Sequence, residues 1–207
     1  MKLYSTNYAP NPRRVTMFIA EKGIEGIETE QVDIMKHEHR TDSYRAIDPL
    51  ARVPALVLDD GRVLSETRAI CSYLEGLRPE PNLMGEGFEE RAFIEMADRR
   101  IEGYLFVPVA NWVWHAHPAL AVLVDPQIPE QGRVEARKVR EMAAWLDGEL
   151  ARKPFMAGGR FTIADITAFC ALEFARGLMK YRPGDEGLGN LQAWRDRVAE
   201  RPSAKAK

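Results

Sequence analysis

Three short stretches hold the side chains with which this chain could do chemistry on a small polar molecule. The run YAPNPRRV, residues 8–15, stands where a strand pattern gives way to a helix pattern. Its first small residue is Ala9, which can neither donate nor accept a proton, so the turn raises the question of which atoms would act there. Glu66-Thr67 opens a later helix pattern. Free N–H groups and the positive end of a helix dipole favour a carboxylate ligand, Thr67 adds a hydroxyl, and Glu66 could take an ammonium group. The plainer reading is that Ser65 and Thr67 cap that helix and Glu66 complements its dipole. Val53-Pro54 comes just before a strand. A cis bond there would turn the Val53 N–H and C=O outward, ready to pair with an extended peptide. Taken alone, the dipeptide favours an ordinary trans proline at a strand start.

The elements that must position these residues are legible from periodicity. Residues 2–5 (KLYS) predict a short strand, and PRRVTMFIAEKG predicts a helix. Asn11 is its N-cap and Pro12 its first residue, with Val15, Phe18 and Ile19 on one face and Gly23 as the stop. Residues 27–34 predict a second strand, parallel to the first through a right-handed crossover. A short helix at 41–47 ends at Asp48-Pro49, and two strand runs flank the hairpin turn Asp60-Gly61. Ala69, Ile70, Tyr73, Leu74 and Leu77 recur at helical spacing. The result is a βαβαββα unit over residues 1–78, with three helices on a four-stranded mixed sheet.

Residues 79–87, rich in Pro and Gly, form the linker. The rest, 88–207, is expected to be all helical. One long helix, bent at Pro108, runs from about 88 to 115, and others span about 130–152, 162–180 and 188–200. Thr162 and Asp165 have the spacing of a capping box, with Phe161 and Ile166 as its hydrophobic staple.

The bulk numbers narrow the function classes. With 207 residues, 45% hydrophobic and 29% charged, the chain can bury a core. A net charge of −2 leaves no electrostatic footprint for nucleic acid. The pairs Arg13–Arg14 and Arg99–Arg100 are expected to be solvated helix faces. No apolar run reaches a membrane span, and the N-terminus lacks the apolar stretch of a secretory signal. Cys71 and Cys170 lie in apolar helix patterns as buried thiols, which together with those absences points to a reducing cytoplasm. Neither His37/His39 nor His115/His117 has a third ligand at metal-site spacing, so no metal is expected.

A βαβαββα unit containing VPAL and LSETRAICSYL, then a linker, an all-helical half and FTIADI, resembles the cytosolic glutathione transferase family over nearly the whole chain. The resemblance implies a thioredoxin-like domain followed by a helical domain, usually as a homodimer. It makes Pro54 a cis-proline and gives Val53 the backbone pairing with the cysteinyl part of glutathione. Glu66 and Thr67 match the pair that holds the γ-glutamyl end, and His39 or Arg52 would meet the glycine carboxylate.

In theta-, phi- and tau-like members a serine occupies the position of Ala9, and in beta-like members a cysteine does. Glutathione still has to be activated, because a thiol of pKa about 8.5 is only about 3% ionised at neutral pH. Asn11 is the favoured substitute: its amide is a donor at the helix start, and some nu-like members use asparagine there. As plain N-cap it would instead accept from the backbone. Ser5 and Tyr8 are weaker candidates. Tyr104 and Trp112, in an aromatic segment with Phe106 and Trp114, could cover a small hydrophobic electrophile, and packing of the helical core and dimer explains them equally well. The expected activity is glutathione conjugation. Disulfide or peroxide reduction with glutathione is one alternative, and a non-catalytic binding module, which Ala9 would suit, is another.

Overall fold

The computed structural model describes residues 1–7 and 9–206. They form two compact units, Met1–Pro81 together with Lys205 and Ala206, and Asn82–Ala204. The division falls inside the Pro- and Gly-rich linker, for a local reason on each side. Lys22, almost fully buried, donates to the carbonyl oxygens of Pro79 (2.9 Å) and Pro81 (2.7 Å) and pairs with Glu75. Beyond the division, Arg160 donates to Asn82 Oδ1 (2.8 Å), and the Ile163 N–H reaches the Leu83 carbonyl (3.0 Å).

The first unit is a four-stranded mixed sheet in the order β2-β1-β3-β4. β1 (Lys2–Ser5) runs parallel to β2 (Glu28–Gln31) through helix α1 (Pro10–Lys22). After two 3₁₀ turns and a one-turn helix α2 (Asp42–Arg45), β3 (Ala55–Val57) returns antiparallel to β1 and pairs with β4 (Val63–Ser65). Helix α3 (Thr67–Leu77) follows. Gly61 turns the hairpin with φ +84°, a region glycine enters without a Cβ clash, and Leu58 N–H closes it on the Arg62 carbonyl (2.8 Å). Leu3, Val15, Phe18, Leu56, Ile70 and Leu74 form the core, each with no exposed surface.

α1 begins two residues earlier than its capping pattern suggests. Pro10 takes the first helical position, where its missing N–H costs nothing, and extended Ala9 becomes the N-cap without a side-chain bond. Asn11 is therefore inside the first turn rather than capping it. Gly23 ends the helix in the left-handed region, as expected, with its N–H on the Ala20 carbonyl.

The second unit is all helical: α4 (Gly87–Ile101), α5 (Val107–Ala116), α6 (Pro129–Leu150), α7 (Ile163–Met179) and α8 (Gly189–Ala199). A π-helical segment, Glu102–Phe106, joins α4 to α5. The irregularity expected at Pro108 thus lies just before it. Proline offers no N–H and its ring presses on the carbonyl four residues back, Tyr104, so the preceding turn widens. The capping box is present. Asp165, fully buried, accepts from Thr162 N–H (3.0 Å), Met156 N–H (3.0 Å) and the indole N–H of Trp194 (2.9 Å). Burial pushes its carboxyl up to about 6. Among the described residues, no helix is long and apolar enough to cross a membrane.

Candidate glutathione site

The first turn of α1 and the first residue of α3 meet through side chains. Thr67 is buried at the start of α3, and its hydroxyl donates to Asn11 Oδ1 at 3.4 Å. Arg14, one turn further along α1, donates from Nη1 to the same oxygen at 3.3 Å. A guanidinium is donor-only, so the amide atom facing it must be the oxygen. That fixes the amide orientation: Nδ2, with two N–H groups, has no hydrogen-bond partner among the described residues.

Two departures from the sequence expectations matter here. Arg14 is not on a solvated helix face; it is 1% exposed. Helical spacing puts it three residues from Asn11 and four from core Phe18, on the inward side of α1. And Pro10 and Pro12 have no N–H, so only Asn11 and Arg13 of the first four residues offer a backbone donor at that terminus. The side-chain amide carries correspondingly more of any donor role.

Glu66, between β4 and α3, is exposed and has φ +67° and ψ 115°, a region costly for a residue with a Cβ. Its side chain makes no cap hydrogen bond.

The Val53-Pro54 bond is cis, as the family resemblance implies and against the trans reading of the dipeptide alone. Neither the N–H nor the C=O of Val53 is hydrogen-bonded by the described residues. The loop leading to it is held from inside the fold. Buried Asp48 accepts from the Arg52 N–H (2.7 Å), and the Tyr44 hydroxyl donates to the Arg52 carbonyl (2.6 Å). Ala51 between them has φ +54°. Arg52 extends into solvent. Asp48, Tyr44 and Arg14 each hold a neighbouring group by a hydrogen bond, and pattern reading missed all three. Asp48 was read only as a helix stop, and a buried arginine leaves no periodic signature of its own.

His39 lies on a 3₁₀ turn, Glu38–Arg40. Burial, and then the charges of Arg40, His37, Arg52 and Arg45, hold its pKa below the ordinary value. The imidazole is therefore mostly neutral near pH 7, with Arg40, Arg45 and Arg52 close by. Ser5 ends β1 and is 2% exposed, so its hydroxyl is shielded from solvent. Tyr8 lies outside the described residues.

The two aromatic candidates of the helical unit are in different settings. Tyr104, in the π segment, is 66% exposed and lines a cavity of about 510 Å³ with Val107, Pro108, Met142 and Trp145. Trp112 does not line it. It is buried, edge-on to Tyr181 at 6.0 Å, beneath the Arg140 guanidinium at 5.4 Å.

Comparison with known proteins identifies the family. Residues 8–77 match the family model described as "Glutathione S-transferase, N-terminal domain", and residues 125–197 match "Glutathione S-transferase, C-terminal domain". Glutathione S-transferase 2 of Saccharomyces cerevisiae is 33% identical over 99% of this chain and 88% of its own length. The chain belongs to the glutathione S-transferase family. The crystal structure of yeast Gtt2 superposes with a TM-score of 0.91 at 33% identity, over 99% of both chains. A glutathione S-transferase domain-containing protein from Marinobacter aquaeolei VT8 gives 0.92 at 42% identity, over 98% of this chain and 99% of that one. Among the described residues, no three potential metal ligands of the His, Cys, Asp and Glu types gather.

Proposed function

We propose that this family member is a glutathione transferase whose thiolate donor is the Asn11 amide. Glutathione lies extended beside β3, its cysteinyl backbone pairing with the open N–H and C=O of Val53. Its γ-glutamyl group is held by Glu66 and Thr67, and its glycine carboxylate by His39 or Arg52. The sulfur then faces Asn11 Nδ2. The thiol proton leaves to solvent. The thiolate attacks an electrophilic carbon of a small hydrophobic molecule, forming the C–S bond as the leaving group departs with its bonding electrons. Tyr104 is the aromatic side chain proposed to meet that molecule; packed Trp112 supports the helix behind.

One observation carries this reading: the Asn11 amide has its oxygen held by two donors, and its two N–H groups are unclaimed among the described residues. A second reading, a binding module without catalysis, is favoured by Ala9, which supplies no hydroxyl or thiol. Retention on glutathione resin and turnover of a small aryl halide separate the two. Retention with glutathione-dependent turnover supports the transferase. Retention without turnover supports the module, and absence of retention contradicts both.

Phe88, Phe93 and Met96 are exposed on α4, and such a cluster suits a self-association face. We propose a homodimer through it, to be checked by sedimentation of the wild type against Phe93→Glu. The burial of both cysteines, Cys71 and Cys170, suits a reducing cytoplasm.

A further inference from the structure

We propose that Arg14 is a positioning residue for the reaction, its buried guanidinium pinning the Asn11 carbonyl so that the amide N–H groups are the face held out to the glutathione sulfur. This rests on the reading of Asn11 as the thiolate donor.

An asparagine amide has a donor end and an acceptor end of almost the same shape, and only the donor end stabilises a thiolate. Turned over, Asn11 would set a carbonyl dipole against the sulfur and disfavour ionisation. Thr67 cannot prevent this by itself, because a hydroxyl donates or accepts equally well. Arg14 can, because a guanidinium never accepts. An inverted amide would aim its N–H groups at a fixed cation in a site where water does not reach, since Arg14 is 1% exposed. The geometry matches: Nη1 lies 3.3 Å from Oδ1, both residues are on α1, and the three-residue spacing puts the two side chains on neighbouring turns. Bonding to a full positive charge also polarises the amide, making its N–H groups stronger donors. The buried charge itself favours a nearby anion. Arg14 need not touch glutathione to do either.

The test compares Arg14→Met, Arg14→Lys, Asn11→Ala and the double variant. The readouts are the bound thiol pKa, from thiolate absorbance, and the separate kcat and KM for glutathione. Arg14→Met is expected to raise the bound thiol pKa by about one unit, which is about tenfold less thiolate at low pH. In acid its kcat should fall about tenfold while KM changes less than about twofold, and kcat should recover as pH rises. Arg14→Lys, which keeps a donor-only cation, should recover most of the loss. In the Asn11→Ala background, Arg14→Met should add little, because the two act through one amide.

If Asn11→Ala raises the thiol pKa and neither Arg14 variant does, the role of Arg14 is overturned while that of Asn11 stands. If Asn11→Ala leaves the thiol pKa unchanged, the underlying reading fails instead. Should Arg14→Met not fold, a crystal structure of the wild type with glutathione decides. The structure must be a neutron one, in which the amide hydrogens are seen directly: Nδ2 hydrogens toward sulfur with Oδ1 on Arg14 support the role, and the inverted amide overturns it.

Discussion

The Thr67 hydroxyl lies 3.4 Å from Asn11 Oδ1, joining residues 56 positions apart, one at the start of α3 and the other in the first turn of α1. Through this contact the proposed binding group for the γ-glutamyl end and the proposed donor to sulfur share one hydrogen-bond system. Thr67→Val should therefore affect both steps. Its glutathione affinity should fall about tenfold for one lost polar contact to a charged group, and the bound thiol pKa should rise as well. Titration calorimetry with glutathione and with its S-methyl derivative checks this. An affinity loss with an unmoved thiol pKa would show the Thr67–Asn11 contact to be idle.

Glu66 has a backbone conformation that a Cβ makes costly, and its side chain caps nothing. Glu66→Gly should leave thermal stability level or raise it by up to about 1 kcal/mol, since relief of strain outweighs the added freedom of the unfolded chain. Glutathione affinity should drop at least about tenfold. A clear fall in melting temperature would mean that the conformation is not strained.

Much of the frame was legible because single residues act alone in it. Gly23, Asp60-Gly61 and the Thr162/Asp165 box each decide a local conformation by their own chemistry, and each is present in the structure. The start of α1 was misplaced because Asn11-Pro12 and Ala9-Pro10 both satisfy a cap-then-proline pattern, and only the tertiary setting decides between them. Glu66 and Thr67 could be named from the family pattern. Arg14 could not, because a burial that goes against residue type is set by Asn11 and the surrounding core. For Trp112 the sequence left substrate contact and packing open, and its contacts with Tyr181 and Arg140, from distant parts of the chain, favour packing.

Lys22 is a buried cation whose partners are Glu75 and two linker carbonyls. Lys22→Met should lower stability by about 3 kcal/mol, because it strands a largely buried carboxylate and two acceptors. Denaturant unfolding measures this. A loss below about 1 kcal/mol would show that water replaces the ammonium group freely.

His39 should couple glutathione binding to pH. Its pKa is held down by burial and neighbouring cations, so it is mostly neutral near pH 7. A bound carboxylate favours the imidazolium, so binding takes up a proton and affinity should rise as pH falls through the histidine range. S-methylglutathione, which has no thiol to titrate, isolates the effect. His39→Gln should flatten the profile, whereas an unchanged slope would assign the carboxylate to Arg52.

Asp165 gives a stability signature of the opposite kind from a surface carboxylate. Its folded pKa, about 6, is above the unfolded value, so the folded state binds the extra proton. This group's contribution is complete below about pH 4 and is lost as pH rises through about 6. Asp165→Asn should remove that dependence. It should also cost about 2–4 kcal/mol at neutral pH, because an amide nitrogen would then face donors from Thr162, Met156 or Trp194. Urea unfolding across that pH range gives both numbers, and a parallel profile for the two proteins would contradict the assignment.

The account depends most on Asn11 lowering the thiol pKa of bound glutathione, and ultraviolet titration of the thiolate measures this directly. The wild type should ionise the bound thiol at least about one to two units below the free value of about 8.5, and Asn11→Ala should return most of that shift while still binding glutathione. A bound thiol that titrates like free glutathione in the wild type, or one equally depressed in Asn11→Ala, would contradict it.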